Sequence, residues 1–211
     1  MEEDYPCMVE VKLIESILPV DRGNRYEDPL ISVLEERGLG TVTGGGTQLT
    51  PRPNPGEQGI EYVNLEVELA DLDGALILLK QKLNELGAPV GSLVRYYTNE
   101  DELHEEPVGE MEILHVYLDG MNLSDEVYEN SDLDTICDTI TGKMGPLGEL
   151  REPGSWPSET LIYFVGRSAD EMFAVIEGLH GEIPLLQNAR IVFQRRDKEK
   201  MPIEMRLPFH N

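Results

Sequence analysis

GLGTVTGGGTQL, residues 38–49, places five glycines in twelve positions, three of them consecutive (Gly44, Gly45, Gly46). Such segments do chemistry when bare backbone N–H groups wrap a phosphate at the start of a helix. A Walker loop needs Lys after its last glycine to neutralise that phosphate. Here Gly46 is followed by Thr47 and Gln48, and residues 38–49 contain no Lys or Arg. A dinucleotide fingerprint needs a strand before the glycines and a helix after them. The periodicity around this stretch gives the reverse order. Two readings remain: a strand that bulges, or a strand that lets another backbone approach closely. In the second, Gly44, Gly45, Gly46 and Thr47 would meet a partner's strand or a small ligand.

The other reactive side chains are scattered. The histidines are His104, His115, His180 and His210, and the segment from His104 departs from HExxH at its fifth position, Val108. His115 lies in a strand pattern and reads as a satisfied sheet residue. Asp119 to Asp125 has the acidity of a calcium loop, but its third position is Met121, and Asn122 and Ser124 are out of register. Ser155 stands between turn residues, without the strand that leads into a nucleophile elbow. Cys137 falls on the apolar face of a helix, and nothing near Cys7 would activate it. No catalytic residue, metal site or cofactor is assigned. Trp156, the single tryptophan, sits in a turn between Pro153 and Pro157. It would plug its own domain's core edge, anchor a partner, or seal a seam between the two halves.

The elements that must position these residues follow from periodicity. Val9, Val11 and Leu13 alternate with charged residues as in a half-buried strand. A charged loop is expected over residues 19–25, then a helix from Tyr26 to Arg37 with Leu30, Val33 and Leu34 on one face and Gly38 as its C-terminal cap. TPRPNPGEQG reads as a long, stiff turn. Ile60 to Leu69 alternates cleanly, so one sheet face is dry and one wet. Asp71 caps a helix striped by Leu72, Ala75, Leu76, Leu79, Leu83 and Leu86, which Gly87 ends. Ser92 to Tyr97 is a short strand. Residues 99–110 read as an acidic linker. Strand, helix, strand, turn (EPGSWPS), strand, helix and strand then recur, over 111–118, 133–144, 147–151, 161–165, 170–179 and 189–194. The predicted domains are therefore 1–98 and 111–195, with a tail over 196–211 that wraps the surface or moves.

Bulk composition bounds the function. The chain has 211 residues, 17 Lys and Arg, 41 Asp and Glu, a formal charge of −24 and a pI near 4.3. Such a surface repels nucleic-acid backbones and anionic membranes and attracts basic proteins. Two distant cysteines suit a reducing compartment. MEEDYPCMVE lacks the basic and apolar regions of a signal peptide, and no apolar run reaches the ~18 residues of a membrane span. A soluble, cytoplasmic protein is expected.

The doubled βαββαβ order resembles that of ferredoxin-like proteins and, more loosely, of amino-acid-binding ACT domains. The resemblance covers both halves and rests on element order. The helix–GLGTVTGGGTQL–turn–strand passage is similar to that of small acidic uncharacterised bacterial proteins. The fold class expected is α+β, two such units each with an antiparallel sheet and two helices on one face. The function expected is a non-catalytic interaction protein for a basic protein, of the inhibitor or immunity type. The alternatives are an ACT-like small-ligand sensor and an enzyme whose site lies between the halves.

Overall fold

The computed structural model describes residues 5–51, 58–98 and 102–209. The protein is α+β, with two five-stranded antiparallel sheets. The chain divides into two compact units, residues 1–110 and 111–211.

In the first unit the elements run β1 (Cys7–Leu13), α1 (Pro19–Arg22), α2 (Asp28–Glu36), β2 (Gly40–Pro51), β3 (Gln58–Leu69), α3 (Gly74–Glu85), β4 (Ser92–Tyr97) and β5 (Leu103–Val108). The sheet order is β2-β3-β1-β4-β5. Val9, Val11 and Leu13 of β1 and Val63, Leu65, Val67 and Leu69 of β3 face one way. They form a core with Leu30 and Leu34 of α2 and Ala75, Leu79 and Leu83 of α3. Period two in the strands and period 3.6 in the helices therefore meet on one face. Gly38 (φ +62°) and Gly87 (φ +81°) end α2 and α3 in the left-handed conformation that glycine adopts without penalty. Asp71 Oδ1 accepts from the Ala75 N–H at 3.1 Å at the start of α3.

Two expectations change here. Residues 19–25, read as a loop, are helical. α1 starts on Pro19 and passes through a π-helical turn, Gly23–Glu27, into α2. Proline tolerates a first turn, where its missing N–H has no role. The second change is the acidic linker. Leu103–Val108 is a strand that pairs with β4 from Ser92↔Val108 to Tyr97↔Leu103. Its alternation puts Val108 in the core, while the Gly109 N–H bonds to Asn84 Oδ1 at 2.8 Å and the Glu110 N–H to the Ala88 carbonyl at 3.0 Å. Charge on an edge strand is what keeps such an edge from pairing further. The expected proline-rich turn lies largely outside the described residues.

The second unit runs β6 (Glu112–Asp119), α4 (Asp125–Glu129), α5 (Leu133–Met144), β7 (Gly148–Ser155), β8 (Glu159–Gly166), α6 (Ala169–Leu179), β9 (Arg190–Gln194) and β10 (Glu204–Arg206). Its sheet order is β10-β9-β6-β8-β7. Asp132 caps α5 through the Thr135 N–H (3.0 Å), and Ser168 caps α6 through the Glu171 N–H (3.3 Å). EPGSWPS, read as a turn, instead carries the end of β7, with a bulge between Arg151 and Gly154. The tail is held. β10 pairs with β9, and Arg195 lies over the Phe193 ring at 3.8 Å, pairs with Asp170 at 2.8 Å and donates to the Lys200 and Pro202 carbonyls. Leu207 is buried in the core.

The two sheets differ on the face away from their helices. In the second, Leu114, Val116, Ile162 and Phe164 pack with α5 and α6, while Ile113, Leu161, Tyr163 and Val165 form a second buried cluster. His115 belongs to this second face, stacked at 5.7 Å on Tyr163 and 6.2 Å on Tyr117. Its Nδ1 is buried without a hydrogen-bond partner. Burial, aided by the nearby Arg190 charge and against a bond to Val192, lowers the imidazole to about 4 from its ordinary 6.5.

A depressed histidine is neutral when folded and charged when unfolded below its ordinary value. Stability is full above pH 6.5 and falls as pH drops from 6.5 to about 4. At 1.36 kcal/mol per unit, the loss in this window is at most about 3 kcal/mol. Urea melts of wild type and His115→Phe across pH 7 to 4 measure it. The variant should show the shallower slope, and parallel profiles would refute the assignment.

Candidate functional site

The glycine segment is β2, an edge strand of the first sheet. Its register shifts twice, between Val42 and Gly44 and between Gln48 and Leu49. After the first shift, Gly44 and Gly46 stand beside Glu66 and Asn64 on the helix-free face, and Gly45 stands beside Leu65 on the helix side. Arg22 explains Gly45. Its guanidinium pairs with Glu27 at 2.6 Å and donates to the Gly46 carbonyl at 2.8 Å. A Cβ on Gly45 would lie 3.0 Å from Arg22 Cζ and 2.6 Å from the Asn64 carbonyl oxygen. The cation absent from residues 38–49 thus comes from α1, already engaged by Glu27 and the backbone.

The helix-free face of this sheet carries three cross-strand rows. In the first, Glu68 pairs with Met8 across β3 and β1, and Tyr97 with Leu103 across β4 and β5, each one position past the terminal β1–β4 pair Val9↔Tyr96. The three apolar members are 58%, 63% and 48% exposed. The second row is Gly44, Glu66, Glu10, Arg95 and Glu105, with Arg95 bonded to Glu105 at 2.7 Å and 4.0 Å from Glu10. The third includes Gly46, Asn64, Lys12 and Leu93. Asn64 donates to Glu10 at 2.8 Å, and Lys12 sits 3.8 Å from the Tyr62 ring centre. Opposite charges across neighbouring strands stabilise the pairing. The result is an acidic, solvated face with one exposed apolar row at its end.

Trp156 is in the second unit, so the structure does not assign it to the glycine strand's unit. It follows β7, its N–H donates to the Glu159 carbonyl at 3.0 Å, and its half-buried ring packs on the Ile113, Leu161, Tyr163 and Val165 cluster. A Cβ on Gly154 would meet that ring at 2.7 Å. The contact is of the kind the core-edge reading expects, and the ring stays half-exposed.

One polar cluster was not legible beforehand because β5 was read as linker. The Tyr96 hydroxyl donates to Glu106 at 2.5 Å, Lys80 pairs with the same carboxylate, and His104 stacks on Tyr96 at 5.3 Å. The hydrogen bond to Glu106 raises the Tyr96 hydroxyl, and the bonds from Lys80 and Tyr96 lower Glu106. A protonated phenol beside an ionised carboxylate that already has both partners is a structural arrangement. The alternation His104, Glu106, Val108 was its available signal.

The remaining candidates are held locally. Asp119 accepts from the Met121 and Asn122 N–H groups at 2.8 and 3.0 Å, and from the Asn122 and Asn188 amides. Burial would raise this carboxyl, but these donors outweigh it and hold it below its ordinary value. No group of three or more His, Cys, Asp or Glu among the described residues is placed to hold a metal. Ser155 Oγ is 3.3 Å from Thr160 Oγ1. His180 Nε2 is 2.8 Å from the Pro208 carbonyl oxygen. Cys137 is buried and its thiol raised by that burial, with Asp134 and Asp138 adding to the effect. His210 lies outside the described residues. An open groove of about 710 Å³ in the second unit is lined by residues that include Met111, Leu147, Val165, Asp138, Glu149 and Arg167.

No protein-family model matches the chain, and no curated protein matches it. Among solved structures, the crystal structure of TiaS in complex with an isoleucine tRNA, AMPCPP and agmatine aligns with 96% of this chain at 13% identity and a TM-score of 0.29. The alignment covers 59% of that chain. A likeness at this score carries no argument about fold or function. Among the described residues no helix is long and apolar enough to cross a membrane.

The glycine run separates into two chemical situations, which substitution distinguishes. Gly45→Ala should lose roughly 1–3 kcal/mol through overpacking against Arg22 and the Asn64 carbonyl. At Gly46 nothing lies within 4 Å of a Cβ, so Gly46→Ala should be neutral or stabilising by up to about 1 kcal/mol. Equal effects of the two in chemical denaturation would contradict the Arg22 contact as the reason for Gly45.

Proposed function

We propose that this chain is a non-catalytic, acidic interaction protein that binds a basic protein partner, as inhibitor or immunity-type proteins do. We further propose that each unit is a ferredoxin-like βαββαβ module with one added edge strand. The strand orders support that reading: without β5 and β10 each sheet runs second, third, first, fourth. The carrying observation for function is the helix-free face of the first sheet. Met8, Tyr97 and Leu103 are exposed apolar residues at the end of that face, with Glu68 beside Met8 and Glu66, Glu10 and Glu105 in the neighbouring row. Apolar contact beside complementary charge is how protein interfaces combine affinity and selectivity. Residues 1–110 carry 23 Asp and Glu against 8 Lys and Arg, so the field around this face selects cationic partners. Gly44 and Gly46 open its β2 end, and the half-buried Trp156 ring packs against the apolar cluster of the second unit.

The test is affinity capture from the source cells, with wild type and the Met8→Ala/Tyr97→Ala pair as baits. The expected outcome is a cationic protein held at low salt, released as ionic strength rises, and weakened at least tenfold by the substitutions. Capture of no cationic protein, or retention indifferent to salt, would count against the reading.

The groove in the second unit favours one other reading, a small-ligand sensor of ACT type. Its volume of about 710 Å³ lies within the range of small-molecule sites. A thermal-shift screen against amino acids and nucleotides should then give a ligand that raises the Tm, lost in Leu147→Asp. A flat screen removes this reading.

A further inference from the structure

We infer that the outer edge of β2 takes up an extended, basic segment of the partner protein as an additional strand. This rests on the interaction reading and names the mode of contact. A sheet edge presents unpaired N–H and C=O groups, and proteins guard such edges with charge, proline, bulges or shortness. Three of the four edges here carry charged guards. β5 carries Glu105, Glu106 and Pro107. β7 carries Glu149 and Arg151 and is bulged. β10 has three residues, two of them charged. β2 is twelve residues long and has no charged residue, in a chain that is 27% charged, and its one proline is its last residue. Among the described residues no strand pairs with its outer edge, and Thr43, Gly45, Gln48 and Leu49 are exposed. Its two register shifts bend it but leave eleven paired positions along β3.

The same strand is held ready. Arg22 bonds the Gly46 carbonyl and lies against Gly45 on the helix side, so β2 is ordered before anything docks. Pre-ordering lowers the entropic cost of docking. The glycines also set the chemistry of the occupant. A Cβ on Gly44 would stand 3.1 Å from the Glu66 carboxylate, and at Gly46 nothing lies within 4 Å. Bare backbone there leaves a passage from the edge onto the free face. A Lys or Arg on the added strand reaches Glu66 through it, with Glu10 next in the row. Main-chain bonds then supply affinity and alternate side chains supply selectivity. A second copy of this chain is disfavoured as occupant because each copy carries −24.

The probe is a capped twelve-residue peptide of alternating Lys and Thr, titrated into the full chain by calorimetry. The control alternates Lys and Pro, with equal charge and no strand-forming capacity. The Lys–Thr peptide should bind at least tenfold more tightly than the control and slow amide exchange over residues 41–49. Gly46→Lys, which restores a guard at an open position, should abolish that difference without lowering the Tm. If it does lower the Tm, Gln48→Lys on the same exposed face takes its place. Equal binding of both peptides, or protection elsewhere, overturns strand addition and leaves the acidic-face reading to its own capture test. No binding of either peptide overturns it too. Self-association that Gly46→Lys abolishes assigns the edge to a second copy and overturns the basic-segment claim.

Discussion

A pair of helices packed on a sheet dries only one of its faces, and the other must be reconciled with its surroundings by its own side chains. Each unit solves the first half of this problem in the same way, with two main helices laid on alternate residues of the central strands. They solve the second half differently. The first sheet covers its other face with cross-strand polar rows, in which Glu10 is the pivot between Asn64 and Arg95. The second sheet makes that face apolar and buries it, His115 included. The wet face is where a partner can be met, and the dry one is where an ionisable group becomes a liability in acid.

The glycine run belongs to the wet solution. A strand at the margin of a solvated face needs no apolar side chains outward, and Gly44 and Gly46 provide none. Gly45 has a separate cause, the Arg22 guanidinium pressed against it from the helix side. A buried cation needs partners, and Arg22 has Glu27 and a backbone carbonyl. One short sequence therefore serves two masters: packing at its middle residue and openness on either side. Neither use is phosphate binding, since the local positive charge is neutralised within the fold.

Much of the architecture could be read from the chain because the relevant signals are local. Val9, Val11 and Leu13, the α3 and α5 stripes, and the glycines after α2, α3 and α5 all act within a few residues of themselves. What escaped reading depends on distance. Leu103–Val108 looked like solvated linker because a guarded edge strand and a linker share the same acidic composition; only its pairing with β4 separates them. Arg22 reaches a glycine more than twenty residues away, and residues 19–25 carry turn-forming Pro, Asp and Gly that happen to start a helix. LIYFV of β8 did hold a signal. An unbroken apolar run with no alternation means a strand buried on both faces, and it foretold the second core that Trp156 packs against. The residues expected to meet a partner divide accordingly, with Gly44 and Gly46 on the helix-free face and Trp156 half-buried against a cluster.

Strong acidity and an unguarded edge are usually considered apart, yet here each accounts for the other. An uncharged twelve-residue edge invites indiscriminate pairing, with copies of itself included. Guards placed in the strand would prevent that pairing and every other. A guard spread over the whole molecule acts selectively: it repels identical and other acidic chains at a distance and leaves the edge open to cations. The distribution fits this division of labour, since the unit that holds β2 has nearly three acidic residues for every basic one. Under the proposed strand addition, net charge does for β2 what Glu105, Glu106 and Pro107 do for β5, with a discrimination by sign that residues within the strand would not give.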